Sequence, residues 1–157
     1  MSGSIIEQVP SYKLLGVHLS HNLSWSIHCD YIVKRARKLL YVLRVLMNWG
    51  LPPADLIQVY CSLVGPILEY ASPVWAALPN SRVQLVESVQ KSALGIIFPD
   101  CSYESALVGC GLPTLLSRRD EACGRFISKI KESGFLSHLL PQPTNVAHGY
   151  GLNPQLQ

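Results

Sequence analysis

Few charges, no long apolar run, no Cys-x-x-Cys pair and no glycine-rich phosphate loop mark this sequence, and each absence excludes something. Charged residues make up 15% of the 157 positions, against about 25% in an ordinary soluble domain. Hydrophobic residues make up 48% and the mean hydropathy is +0.22. The domain therefore buries an unusual share of itself or keeps apolar surface for a partner. No segment approaches the roughly 18 consecutive apolar residues of a membrane span, so no membrane partner is expected. Met1-Ser2-Gly3-Ser4 lacks the basic start and apolar core of a secretion signal, which predicts an intracellular chain. The five cysteines, Cys29, Cys61, Cys101, Cys110 and Cys123, are odd in number and read as small buried hydrophobes. Cys101, Cys110, Cys123 and His138 match none of the usual zinc-knuckle spacings. No motif points to a cofactor.

The positive charge that is present sits early. Residues 1–50 carry +4, residues 51–100 carry −2 and residues 101–157 carry +1, within a net charge of +3. Such a distribution fits a local anion contact better than a generally basic protein. Residues 4–9 and 12–19 are short apolar runs around Pro10-Ser11 and predict a two-stranded hairpin. Ser24 is a candidate N-cap for a helix from about Trp25 to Met47. At 100° per residue, Trp25, Cys29, Ile32, Ala36, Leu39, Leu43, Leu46 and Met47 share one apolar sector. Lys34, Arg37, Lys38, Tyr41 and Arg44 fall opposite. Gly50 suits the left-handed position past the helix end.

Pro53 opens a second helix, which Pro66 is expected to kink. A third runs from about Arg82 to Ile97 with Asn80 or Ser81 as cap, a short fourth from Tyr103 to Val108, and a fifth from Thr114 to Ser133. The fifth carries Leu115, Leu116, Cys123, Phe126, Ile127 and Ile130 on one face and ends at Gly134. A further turn is expected near residues 135–140. The polar Pro/Gly/Asn/Gln composition beyond Pro141 predicts a disordered tail. The expected fold is mainly α: a bundle of about five helices with a short N-terminal β-hairpin. Its expected parts are a hairpin over 1–20, a helical region over 21–140 and a tail over 141–157.

The basic face of the first long helix is the strongest chemical signal. Four cations over about ten residues can track a phosphate backbone, with Tyr41 among them able to stack on a base or bond a phosphate; the competing reading is an ordinary solvated helix face, where Lys and Arg usually stand. His28-Cys29-Asp30 formally matches the His-x-Asp half of an iron-dioxygenase triad. Residues 11–47 are also loosely similar to segments classed with AlkB-type alkylation-repair enzymes. Here, however, the pair falls in the first turns of a helix rather than on a barrel, and no arginine follows His138 or His148 to hold a 2-oxoglutarate carboxylate. Asp120-Glu121 beside Arg118-Arg119 predict surface ion pairs. Trp25, Trp49 and Trp75 read as core or interface anchors.

Three blocks occur in a fixed order: Tyr12-Lys13-Leu14-Leu15-Gly16-Val17, then Leu23-Ser24-Trp25 opening the basic helix, then Gly65-Pro66-Ile67-Leu68-Glu69-Tyr70-Ala71-Ser72-Pro73-Val74-Trp75. With Gly111-Leu112-Pro113-Thr114-Leu115-Leu116-x-x-Arg119, they resemble the stretch after the polymerase palm in reverse transcriptases of non-LTR (LINE-type) retrotransposons. The resemblance covers roughly residues 5–140. It implies that the first block is the hairpin called the primer grip, with Leu14, Leu15 and Gly16 close to nucleic acid. It also implies that the basic helix opens the thumb, with Lys34, Arg37, Lys38 and Arg44 on the template–primer duplex. The family's aromatic-Ala-Asp-Asp signature does not occur in this sequence. The resemblance starts downstream of it and implies a non-catalytic fragment that binds an RNA/DNA template–primer duplex weakly by itself. The implied partners are that duplex and the palm of the parent polymerase. A second expectation is a helical protein-interaction module, self-associating through exposed apolar surface.

Overall fold

The computed structural model describes residues 9–134 together with Leu136 and His138. Among these, two strands, β1 (Ser11–Leu14) and β2 (Val17–Ser20), precede the helices α1 (Ser26–Asn48), α2 (Pro53–Val59), α3 (Gly65–Glu69), α4 (Asn80–Ile97), α5 (Tyr103–Cys110) and α6 (Leu115–Ser133). A π-turn over Tyr60–Val64 joins α2 to α3, so the two form one interrupted helix, and a 3₁₀ turn over Ser72–Val74 follows. The architecture is therefore a five-helix bundle with a short antiparallel hairpin at its N-terminal side, as the sequence predicts. The expected tail over 141–157, and most of the turn expected near 135–140, lie outside the described residues.

The hairpin forms within a shorter stretch than expected. Ser11 pairs with Ser20 and Leu14 with Val17, so residues 11–20 supply both strands, while residues 4–8 of the other expected run lie outside the described residues. The two-residue turn between them has positive φ at both Leu15 (46°) and Gly16 (86°). This is the primed-turn geometry whose twist matches paired strands. Glycine meets that demand freely; leucine does so at a cost.

Ser24 does not cap α1. Its carbonyl accepts the Ser20 hydroxyl at 2.6 Å and its N–H donates to Asn22 Oδ1 at 3.1 Å, so a polar corner uses it before the helix begins. Trp25 occupies the flanking position instead. At the far end Gly50 (φ 81°) donates to Met47 O and Leu51 N–H to Leu46 O, the paired bonds of a Schellman stop. Neither Asn80 nor Ser81 caps α4, which starts directly after Pro79. Ser102 and Thr114 do cap α5 and α6, accepting from Ser105 N–H and Ser117 N–H.

Pro66 acts differently from a simple kink. It cannot donate a backbone bond. The chain winds wider just before it, with Gly65 N–H reaching back five residues to Tyr60 O, and the helix then continues. A π-bulge is one of the few ways a helix absorbs such a residue without breaking.

The core lies between α1, α4 and the α2–α3 helix. Cys29, Val33, Ala36, Leu40 and Leu43 from α1 join Leu56, Tyr60, Val64 and Leu68 and, from α4, Val86, Val89, Ala93 and Ile97. Val33 and Leu40 take core places that the expected sector had given to Leu39 and Leu46, which are only partly buried. Trp75 is fully buried, but Trp49 is 80% exposed, because it stands past the last core-facing turn of α1. Of the cysteines only Cys29 is buried, and Cys101 is exposed.

The expected apolar face of α6 is covered only at its start. Leu115 is buried, whereas Leu116, Phe126 and Ile127 are exposed. Nineteen residues span about 28 Å, and burial fades after Cys123. The arginines do not form the expected surface pairs with Asp120-Glu121. Arg118 reaches Glu69 on α3 at 2.9 Å, and Arg119 is buried with its guanidinium 5.2 Å from the Trp75 ring. Glu121 pairs with Arg125 instead.

Candidate nucleic-acid interface

Lys34, Arg37, Lys38, Tyr41 and Arg44 are all exposed on the side of α1 facing away from the core. Ten residues of helix place Lys34 and Arg44 about 15 Å apart along the axis. That length matches about four phosphates of one duplex strand at 3.4 Å each. Arg37 is partly held, its Nη2 donating to Ser88 Oγ on α4 at 3.0 Å. Lys34, Arg37 and Lys38 border a shallow hollow with Val33, Leu85 and Asp30. Asp30 is itself taken by Arg82 at 2.5 Å, so it does not neutralise the cationic row.

The hairpin lies beside this helix. Val17 is buried and the His18 ring packs 4.5 Å from that of Tyr31. Lys13 Nζ lies 4.9 Å from the Tyr31 ring centroid and donates to its hydroxyl at 3.2 Å. That ammonium holds the Tyr31 phenol below its ordinary value. The turn is held from the other side. Tyr70 donates its hydroxyl to Leu15 O at 2.9 Å, and Trp75 Nε1–H donates to Tyr70 O at 2.9 Å. Leu14 and Leu15 stay exposed, Leu15 at 83%. A Cβ on Gly16 would stand 3.3 Å from Tyr70 Cε1. Gly16→Ala thus meets both an unfavourable φ and the Tyr70 ring, and is expected to cost about 1–2 kcal/mol. A urea midpoint equal to the wild type would refute that.

His28 and Asp30 part company. Asp30 faces outward onto Arg82, while His28 is buried, 5.4 Å edge-on to Trp75. The His28 Nδ1 accepts the His18 N–H at 3.4 Å, so the neutral ring carries its proton on Nε2. Burial, then the facing His18, push the His28 pKa below its ordinary 6.5. A protonated ring would lose its acceptor and place a charge beside His18. Because the folded state resists protonation, the hairpin attachment is at full strength above about pH 6.5 and weakens as pH falls below it. Urea midpoints measured at about pH 7.5 and 5.5 are expected to differ, and the difference to shrink in His28→Gln. Equal midpoints in the wild type would count against a pH-dependent hairpin attachment.

The structure thus brings Leu14, Leu15 and Gly16 to one end of α1 and the cationic row along its outer face. It adds Lys13, Tyr31, Arg35 and Tyr70, which sequence reasoning left out. Arg35 lies 100° round the helix from Lys34, at the edge of the polar sector, and Tyr31 sits one turn before it. That i, i+4 pair was the available signal; only the hairpin's position gives it meaning. Among the described residues no three His, Cys, Asp or Glu side chains are grouped as a metal site, and no helix is long and apolar enough to cross a membrane.

No family model matches the chain, and no solved structure matches it. The chain is similar to the Retrovirus-related Pol polyprotein from type-1 retrotransposable element R1 4 of Nasonia vitripennis, 31% identical over 125 residues. This likeness supports a retrotransposon-derived protein. The match covers 76% of this chain and 32% of that polyprotein, so the chain spans about a third of the relative's length.

Proposed function

We propose that this chain is the part of a non-LTR retrotransposon reverse transcriptase that grips the primer and clamps the template–primer duplex through phosphates, itself supplying no polymerase chemistry. The observation that carries this reading is the juxtaposition of a glycine turn, pinned by Tyr70, with a row of Lys34, Arg37, Lys38 and Arg44 on the adjoining helix that makes no ion pair among the described residues. The turn offers backbone close to a strand end, and the row follows the strand away from it. Affinity from such contacts comes from counterion release and falls steeply with salt.

Binding of an RNA–DNA duplex, followed by fluorescence anisotropy from about 50 to about 200 mM salt, tests the clamp. Lys34→Ala/Arg37→Ala/Lys38→Ala is expected to weaken binding and flatten the log–log salt slope by about 3, roughly one per lost phosphate contact. An unchanged slope rejects the phosphate clamp.

The exposed outer half of α6 favours a second reading, an interaction module that pairs with another copy or with the rest of the polyprotein. Phe126→Glu is the discriminating change. A self-associating chain becomes monomeric by light scattering, whereas a chain that is already a monomer rejects self-association.

A further inference from the structure

Between the hairpin turn, α1 and α3 lies a pocket of about 330 Å³, at the small end of the roughly 300–1,000 Å³ usual for ligand sites. Ile32, Pro66 and Ile67 make its apolar walls, Tyr70 its side, and Lys13 and Arg35 bring cations to it. Neither cation is in an ion pair among the described residues. Buried His28 closes the pocket's floor, its Nε2 without a hydrogen-bond partner among the described residues. Tyr70 is 55% exposed, and its hydroxyl is already engaged by Leu15 O, so the ring is fixed in place and open on one side.

An apolar slot, a fixed aromatic face and two unpaired cations fit a flat heterocycle joined to a phosphate. From this we infer that the pocket takes one unpaired nucleotide at the end of a bound strand. Its base lies against Tyr70 and the Pro66–Ile67 wall, and its phosphate lies between Lys13 and Arg35. Stacking on a tyrosine tolerates any base, since each has a π-face. The inference rests on the nucleic-acid reading above but uses a different set of residues: Lys13, Arg35 and Tyr70 in place of the outer row of α1.

The experiment compares two RNA–DNA hybrids, one blunt and one with a single unpaired 3′ nucleotide, titrated against the full chain at one salt concentration. The overhang is expected to tighten binding roughly tenfold, the low range of what one stacked base supplies. In Lys13→Ala/Arg35→Ala that ratio is expected to fall several-fold, with the stacking on Tyr70 left in place. Arg35→Gln, which leaves the Lys13–Tyr31 contact in place, is expected to lower it by a smaller factor and guards against a hairpin that has merely come loose. In Lys34→Ala/Arg37→Ala/Lys38→Ala both affinities fall while the ratio persists. A ratio of one in the wild type, with the salt-dependent clamp intact, overturns the pocket and leaves the clamp standing. A ratio unchanged by either cation variant overturns the phosphate placement. A preserved ratio without any effect of the triple variant overturns the clamp and keeps the pocket.

Discussion

Trp75→Ala is expected to remove about 3–5 kcal/mol of stability, the usual cost of truncating a fully buried tryptophan. Trp75 has no exposed surface. Its ring is packed against the His28 imidazole and lies under the Arg119 guanidinium. Arg119 Nη1 and Nη2 are buried without a hydrogen-bond partner among the described residues, so the indole face is the favourable electrostatic contact visible for that cation. Taking the ring away leaves a cavity and a desolvated charge together. Since whole domains are stable by only about 5–15 kcal/mol, the loss is a large share of the total and is expected to lower the urea midpoint markedly. Trp75→Phe keeps an aromatic face and most of the volume, and its expected cost is about half as large. A Trp75→Ala variant within about 1 kcal/mol of the wild type would show that this corner is not central to the fold.

The same substitution reaches the candidate interface through a short chain of bonds. Trp75 Nε1–H fixes the Tyr70 carbonyl, and the Tyr70 hydroxyl fixes the Leu15 carbonyl at the hairpin turn. Trp75→Phe breaks the first of these while sparing most of the core. It is therefore expected to lower duplex affinity under conditions where the protein remains folded, and Tyr70→Phe to do the same without the stability cost. The block from Pro66 to Trp75 reads in sequence as packing; in three dimensions it is packing and the support of the turn at once.

The α1 reading shows what a sequence makes legible and where it stops. Periodicity separates Lys34, Arg37, Lys38, Tyr41 and Arg44 from the core residues correctly, because a helix face is a local property. The Gly50 and Gly134 stops and the Thr114 start are local for the same reason, each a single residue type at a helix end. The hairpin register was not legible, because its turn places Leu15 at positive φ, where residue preferences argue against a turn. Tyr70's bond to Leu15 crosses 55 positions, and no short window contains it. Nor does local pattern say that α6 outruns its neighbours, so an amphipathic face there reads as core though half of it is exposed. Arg119 misled for a related reason: an arginine next to acidic residues reads as surface, while its place over Trp75 depends on how α6 crosses the turn at Ser72–Val74.

The largest polar contribution to the core is expected at Gln90, and Gln90→Leu tests it. Gln90 is fully buried on α4. Its Oε1 accepts the Tyr60 hydroxyl at 2.8 Å, and its Nε2 donates to Pro113 O at 3.0 Å and to the Tyr103 hydroxyl at 3.3 Å. Three elements that are distant in sequence thus meet at one amide. Beside it Glu87 accepts the Tyr103 hydroxyl and the Leu115 N–H, placing a carboxylate at the N-terminus of α6. Burial holds the Tyr60 phenol far above its ordinary value, so it acts only as a neutral donor. Leucine nearly fills the space of Gln90 but strands the Tyr60 hydroxyl and the Pro113 carbonyl, each at about 1–3 kcal/mol. The expected loss is therefore about 2–6 kcal/mol by urea denaturation. Tyr60→Phe/Gln90→Leu removes the stranded donor together with its acceptor, so the double variant is expected to be less destabilised than the sum of the two single changes by about 1 kcal/mol or more. Strict additivity would mean that the Tyr60–Gln90 bond contributes nothing, and that the amide matters only for holding Pro113 and the start of α6.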